Sequence, residues 1–322
     1  MLVRRVDGCL ALAAPPGSTL VVIGNFDGVH LGHLAVLAAS RAEAAARGLT
    51  LVVLTFEPHP AVVLGQGTMP ALTPLDRKLE LLGRACPGLT VVVEPFTREL
   101  SQRSPESFAE DVLAKALGAR VVVVGQNFRF GLGRSGDLAA LERLGAELGF
   151  EAHAEPLHGD ADGPYSSSRI RAALAAGDLA TTERLLGRPH SLSSNIVPGA
   201  GRGRTIGVPT ANLGAVPEAL PPYGVYAVVA DRLGPEGPKV LGRGIANIGV
   251  RPTVGAGFSV EAHFFDFDQN LYGVRVRLHL CARLREERRF DSLDALRVQI
   301  VRDLAEARAL VAKREPTGAS WY

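Results

Sequence analysis

Two histidines three residues apart, His30 and His33, close the decapeptide GNFDGVHLGH that runs from Gly24 to His33. The apolar run Leu20 to Ile23 precedes it, so a strand should end in a glycine-containing turn and a helix should open at the histidines. Backbone N–H groups at a helix N-terminus attract phosphate, and two imidazoles on one helix face add donors beside them. Gly32, between the rings, would let a nucleotide approach the backbone. That combination suits displacement at a nucleotide phosphate. Taken alone, the same residues also fit a capping cluster or a solvated histidine pair.

Three further stretches carry comparable chemistry. TFEPHP spans Thr55 to Pro60, GQNFRFG spans Gly125 to Gly131, and SSSRIR spans Ser166 to Arg171, where hydroxyls and two arginines open a helix. A chemically different phosphate site is expected in GRGRTIGVPTANL, Gly201 to Leu213. No GxxxxGK[ST] loop occurs in the chain, but a loop and strand presenting Thr210 and Asn212 can hold a metal–phosphate, since Mg²⁺ takes hydroxyl, amide and phosphate oxygens. A mobile glycine-rich linker is the plainer reading of that stretch.

The elements around these motifs fall into two patterns. Nearly continuous aliphatic runs at Leu20–Ile23, Leu51–Phe56, Val91–Val93 and Val121–Val124 read as strands buried on both faces. Helical periodicity fills His33–Arg47, Pro105–Leu117 and Asp137–Leu148, and continues through Ser168–Ala176 and Leu179–Leu186. Alternating β and α elements predict an α/β doubly wound sheet, with Gly24, Glu57 and Gly125 each following a strand end and converging on one crevice. From His190 the alternation stops. Short strands at Gly224–Ala230, Val240–Ile248, Phe258–Phe267 and Val274–Leu284 predict an antiparallel β-barrel or sandwich. A helix from Ser292 to Ala312 should close the chain, with Leu293, Leu296, Ile300, Leu304 and Leu310 as its buried stripe, and the residues after Pro316 should fray. The expected domains are 1–187 and 188–322.

Composition narrows the function classes. A formal net charge of +2 over 322 residues is too small to imply a polyanion partner, so nucleic acid is not expected and phosphate recognition must be local. Cys9, Cys86 and Cys281 form no CxxC pair, which suits a reducing compartment. No apolar run approaches a membrane span or a secretory signal, so the expectation is a cytoplasmic protein without a membrane partner.

Taken together and in order, GNFDGVHLGH, TFEPHP, GQNFRFG and SSSRIR resemble the bacterial bifunctional riboflavin kinase/FAD synthetase family, in its adenylyltransferase module. Downstream, PTAN, PPYGVYAV, NIGVRPT, VEAHFFDFDQNLYG and the helix DSLDALRVQIVRDLAEAR resemble the kinase module of the same family, which implies a Greek-key β-barrel. The resemblance implies phosphorylation of riboflavin to FMN, then AMP transfer from ATP to FMN with release of pyrophosphate. It places His30 and His33 on the ATP phosphates, and Asn127 on the phosphates or metal. Gly24, Phe26, Asp27, Gly32, Ser167, Ser168 and Arg171 complete that nucleotide site, with Asp27 shaping the loop. Phe56, His59 and Phe128 are its flavin-contact candidates. In the kinase module the resemblance has Thr210 and Asn212 coordinate Mg²⁺–ATP, with Gly201, Gly203, Arg204 and Gly207 closing over the phosphates. Glu261 accepts the proton of the riboflavin 5′-hydroxyl or orients it. Ser168 stands where the family usually has Thr, and Pro164–Tyr165 where many members carry Arg and an aliphatic residue. Two alternatives follow: a riboflavin kinase with an impaired adenylyltransferase module, or a flavin-binding regulator.

Overall fold

The structure is a computed structural model and describes residues 3–65, 69–199, 203, 207–250, 258–314 and 321, so the end of the NIGVRPT motif lies outside the described residues. The chain divides into two compact units, Met1–Ser167 and Ser168–Tyr322.

Six parallel strands form the sheet of the first unit: β1 (Arg4–Asp7), β2 (Thr19–Ile23), β3 (Thr50–Glu57), β4 (Thr90–Pro95), β5 (Ala119–Gly125) and β6 (Glu151–Glu155). Their order is β1-β4-β3-β2-β5-β6. Every residue of β2 is buried, as an aliphatic run covered on both faces must be. After β2 the chain builds β3 and β4 on one side, then returns to place β5 on the other. The carboxyl ends of β2 and β5 therefore flank a topological switch point, where open α/β sheets bind ligands.

Helices α1 (Leu31–Arg47), α2 (Pro60–Val63), α3 (Leu75–Ala85), α4 (Arg98–Ser101) and α6 (Leu138–Leu148) fill the connections. Between α4 and α6 lies one turn, α5 (Pro105–Ser107), that continues as a π-helix over Phe108–Ala116. The expected helix is there, but its winding differs. Its buried residues recur at four- and five-residue steps (Phe108, Val112 and Leu113, then Leu117), which an i→i+5 helix keeps on one face. A short hairpin, β7 (Gly159–Asp160) with β8 (Gly163–Pro164), leads to the end of the unit.

In the second unit, α7 (Ser167–Ala175), whose first residue closes the first unit, and α8 (Leu179–Leu186) precede a closed antiparallel barrel. Its strands are β9 (Ser191–Val197), β10 (Ala211–Leu213), β11 (Gly224–Gly234), β12 (Gly237–Val250), β13 (Phe258–Phe264) and β14 (Arg275–Glu286), in the order β10-β13-β12-β11-β14-β9. On β13 the buried Val260, Ala262 and Phe264 alternate with the half-buried Glu261 and His263.

The closing helix α9 (Leu293–Val311) starts and stops where its sequence predicts, with Ser292 Oγ accepting the Ala295 N–H at 3.1 Å. Its buried face is rotated from the expected one. Leu293 and Leu310 are exposed at 67% and 44%, whereas Asp303, Ala307 and Val311 are buried and Leu296, Ile300 and Leu304 are half-buried. Ala307 and Val311 pack with Val225, Val229 and Ile245 of the barrel. Asp303 enters that face because an arginine of β14 neutralises it. Residues 315–320 lie outside the described set, but Trp321 is not frayed. It is buried in the same cluster, its ring 4.6 Å from that of His279. No helix among the described residues is long and apolar enough to cross a membrane.

His190, at the entrance to β9, gives the second unit an acid-sensitive point. Its Nε2–H donates to the Ala219 carbonyl at 2.8 Å, and burial lowers its pKa from 6.5 to about 4. Between those values the unfolded chain binds a proton that the native one refuses, so stability present above pH 6.5 drains away as pH falls towards 4, by about 1.4 kcal/mol per pH unit. His190→Gln, which keeps a donor at the Ala219 carbonyl, should flatten the loss in urea midpoint between pH 7 and pH 5.

Candidate active sites

His30 is the N-cap of α1 and His33 its third residue, and each ring caps the other's backbone. The His33 N–H donates to His30 Nδ1 and the His30 N–H to His33 Nδ1, both at 3.3 Å. Because both Nδ1 atoms accept, the protons reside on Nε2, so each ring presents an N–H donor on its far side. The rings stack with centroids 3.6 Å apart at 19°. The capping-cluster reading and the phosphate reading are thus not rivals: the cap fixes the tautomer that donates.

The loop that delivers the pair is tightly held. Phe26 and Val29 adopt φ of +49° and +39°, a region that side-chain-bearing residues seldom occupy. Buried Asp27 stabilises the loop: its Oδ1 accepts the Leu72 and Thr73 N–H groups at 2.9 and 3.1 Å, while Thr73 Oγ1 accepts the Gly28 N–H at 3.0 Å. Ser167 Oγ donates to the Asp27 carbonyl at 2.8 Å, which places the serine motif's first hydroxyl beside the histidine loop. Gly32 has a packing reason of its own. A Cβ there would lie 3.1 Å from His30 Nδ1 and 3.2 Å from Tyr165 Cβ, so its bare Cα seats the imidazole and not an open approach. Ser168 and Arg171 follow Ser167 on α7 and belong to the second unit. Lys78 on α3, which the motifs do not flag, is 4% exposed; burial lowers its pKa while Glu57 and Asp27 oppose the shift.

At the carboxyl ends of β2, β3 and β5 opens a cavity of about 520 Å³. Gly24 and Asn25, Phe56, and Asn127 with Phe128 line it, so the three expected motifs do converge. Asn127 is exposed on its wall. Further aromatics come from segments without a motif: Phe96 meets Phe56 edge-on at 5.7 Å, and Phe108 meets Phe130 at 5.8 Å. Phe128 and Phe130 stack at 5.4 Å. Such a wall suits a flat heteroaromatic ring. His59 is not part of that wall; its Nδ1 accepts the Ala61 N–H at 3.2 Å and caps α2. The cavity and the imidazoles are linked through Phe26: a Cβ at Gly24 would lie 3.1 Å from the Phe26 ring, which in turn sits 4.9 Å from that of His33.

A second cavity, of about 500 Å³, lies between one face of the barrel and α9. Strand register sets its polar floor. Arg285, Val225, Asn247, Glu261 and Asn212 are successive cross-strand partners on β14, β11, β12, β13 and β10, and therefore share a face. Alternation alone cannot tell a solvent-facing carboxylate from one beneath a helix; here Glu261 is half-buried and lines the cavity. Thr210 Oγ1 points at Glu261 Oε2 across 3.4 Å, and His263 Nδ1–H donates to the Pro209 carbonyl at 2.8 Å, fixing the PTAN segment against β13. Gly203 accepts the Val208 N–H at 2.9 Å, and a Cβ there would lie 3.1 Å from Thr210 Oγ1. Gly207 has φ +79°. Gly201 and Arg204 lie outside the described residues. Apolar Leu296, Ile300 and Phe290 form the opposite wall.

Comparison with known proteins matches both halves. Residues 13–169 fit the family model described as FAD synthetase, and residues 186–311 fit that described as riboflavin kinase. The bifunctional riboflavin kinase/FMN adenylyltransferase of Escherichia coli K12 is 40% identical over 305 residues, covering 94% of this chain and 96% of the relative. Proteins of the same name from Pseudomonas fluorescens and Bacillus subtilis are 40% and 35% identical over 297 residues each, covering 91% and 90% of this chain and 93% and 91% of theirs. A solved structure from Streptococcus pneumoniae, described as a macrolide-efflux protein, superposes with a TM-score of 0.80 at 27% identity, over 94% of this chain and 97% of that one.

Proposed function

The chain belongs to the bifunctional riboflavin kinase/FMN adenylyltransferase family, and we propose that its two cavities divide the two reactions between them. The enzyme phosphorylates riboflavin with ATP to give FMN, then joins FMN to AMP from a second ATP, releasing pyrophosphate and forming FAD. The observations that carry the assignment are that the aromatic wall of the first cavity connects through Phe26 to the imidazole pair, and that the second cavity sets the Thr210–Glu261 pair opposite an apolar wall.

In the first unit, a phosphate oxygen of FMN attacks the α-phosphorus of ATP and pyrophosphate leaves. His30 and His33 meet the charge that develops there with their Nε2–H groups, and the α1 N-terminus adds its dipole. Ser167 supplies a hydroxyl beside the loop; the family resemblance extends this role to Ser168 and Arg171. Phe56 and Phe128 hold the isoalloxazine, and Asn127 faces the phosphates. No covalent intermediate is needed, because FMN arrives with a competent nucleophile, and catalysis rests on position and charge.

In the second unit, the riboflavin 5′-hydroxyl attacks the γ-phosphorus and ADP leaves. Glu261 takes or orients the hydroxyl proton. Thr210 and Asn212 are the residues for Mg²⁺: hydroxyl, amide and the neighbouring carboxylate are hard oxygen donors, and Mg²⁺ completes its shell with water and phosphate oxygens. Bound there, the ion neutralises phosphate charge. Gly203 leaves room for the Thr210 hydroxyl, which a Cβ there would meet at 3.1 Å.

We place the functional boundary near Gly187, supported by the kinase match beginning at residue 186, and the reaction in the cytoplasm, which suits three separate buried thiols. Incubating the enzyme with riboflavin, ATP and Mg²⁺ and separating products tests the whole assignment. FAD is the expected product; FMN alone would restrict it to the kinase, and tight flavin binding without turnover would overturn it in favour of a regulator.

A further inference from the structure

At the α9 end of the kinase cavity four polar side chains form one continuous chain of contacts. Arg285 on β14 grips Asp303 of α9 with two nitrogens, Nε at 2.9 Å and Nη2 at 2.9 Å from Oδ2. The Asp303 carboxylate is 3% exposed, and its other oxygen accepts Gln299 Nε2–H at 2.7 Å. Gln299 Oε1 in turn accepts from Arg288. The two arginines then meet again on one aromatic ring: the guanidinium carbons of Arg285 and Arg288 lie 5.5 and 4.8 Å from the centroid of Phe290. Phe290 belongs to a stretch without regular structure, and its ring lines the cavity together with Leu296 and Ile300.

A buried ion pair of this kind contributes little net stability, because desolvation offsets the attraction, so its presence asks for another reason. What the chain accomplishes is geometric. It ties α9 to β14 and presses Phe290 onto the cavity wall before any ligand arrives. The phosphate-handling groups, Thr210 and Glu261, sit at the barrel floor, so the hydroxyl end of riboflavin must point there and its flat ring must lie against the α9 wall. We propose that Asp303 and Gln299 are positioning residues for the flavin ring: through Arg285 and Arg288 they hold Phe290 as a preformed wall for the isoalloxazine, so riboflavin does not have to order that segment when it binds. ATP, engaged at the other end, gains nothing from the device. This rests on the kinase assignment of the cavity.

The test is steady-state FMN formation by Gln299→Met, which removes both Gln299 contacts and spares the Arg285–Asp303 pair, and by Asp303→Asn, which keeps the shape and removes the charge. The expected result is a riboflavin KM raised about fivefold in the first and tenfold or more in the second, with the KM for ATP and kcat within twofold of the parent. A merely structural role would instead lower kcat in proportion to the folded fraction and leave both KM values alone, and that result overturns the proposal, as does an equal rise in both KM values. FMN adenylylation by the same preparations reports the condition of the first unit. If Glu261→Gln also leaves FMN formation untouched, the kinase assignment fails; if it stops the reaction while the riboflavin KM of both clamp variants stays at the parent value, the clamp alone fails.

Discussion

His30→Ala will slow FAD formation from FMN and ATP by roughly tenfold to a hundredfold, the cost of losing a preorganised donor to a developing charge. The variant does two things at once, since His30 also caps α1 through the 3.3 Å bond from the His33 N–H. Loss of an N-cap costs about 1 kcal/mol of stability. His30→Asn separates the two effects. Asparagine accepts the same N–H and is among the best N-caps, but it places no donor where Nε2–H stood. The alanine variant should therefore lose both stability and rate, and the asparagine variant rate alone. Riboflavin phosphorylation in the same tube should stay at the parent rate. An asparagine variant that turns over FMN normally would show that the ring acts only as a cap.

Glu261→Gln should depress riboflavin phosphorylation by about a hundredfold while FMN adenylylation continues. Proton removal by a positioned side chain is worth about 10²–10⁴ in rate, and phosphoryl transfer lies low in that range because alignment and charge neutralisation dominate it. Glutamine fits the same half-buried slot opposite Thr210 and can still accept a hydrogen bond from the substrate hydroxyl. The measurement is initial FMN formation across pH. A base role predicts that the deficit narrows as rising pH lets hydroxide take over proton removal; a pure orienting role predicts a deficit that stays the same from pH 6 to pH 9.

Much of this architecture is legible in the chain, and the failures have physical causes. Strands β2 to β5 announce themselves because burial on both faces demands unbroken aliphatic runs. Strands β1 and β6 lie at the sheet's edges, where RRVD and EAHAE carry no such run. Helix α9 is legible in length but not in rotation: counting leucines puts Leu293 and Leu310 inward and leaves out Asp303, whose burial depends on Arg285 eighteen residues away. At the sites, the motifs supply the histidines, Asn127 and Glu261. They do not supply Phe96 or Phe108, which reach the first cavity from separate segments, nor Lys78 or Arg285. Glu261 shows the limit most plainly, because strand alternation gives its face and only α9 decides what covers that face.

The mutual capping of the imidazoles has a bearing on metabolic order. With one nitrogen of each ring committed to the helix and the other already carrying hydrogen, the pair can give hydrogen bonds but has no vacant basic nitrogen with which to deprotonate an alcohol. An acceptor entering that crevice must arrive already ionised, as a phosphate ester does and a bare ribityl chain does not. On the proposed assignment, the order of the two steps, phosphate first and adenylate second, follows from the proton inventory of the imidazole pair.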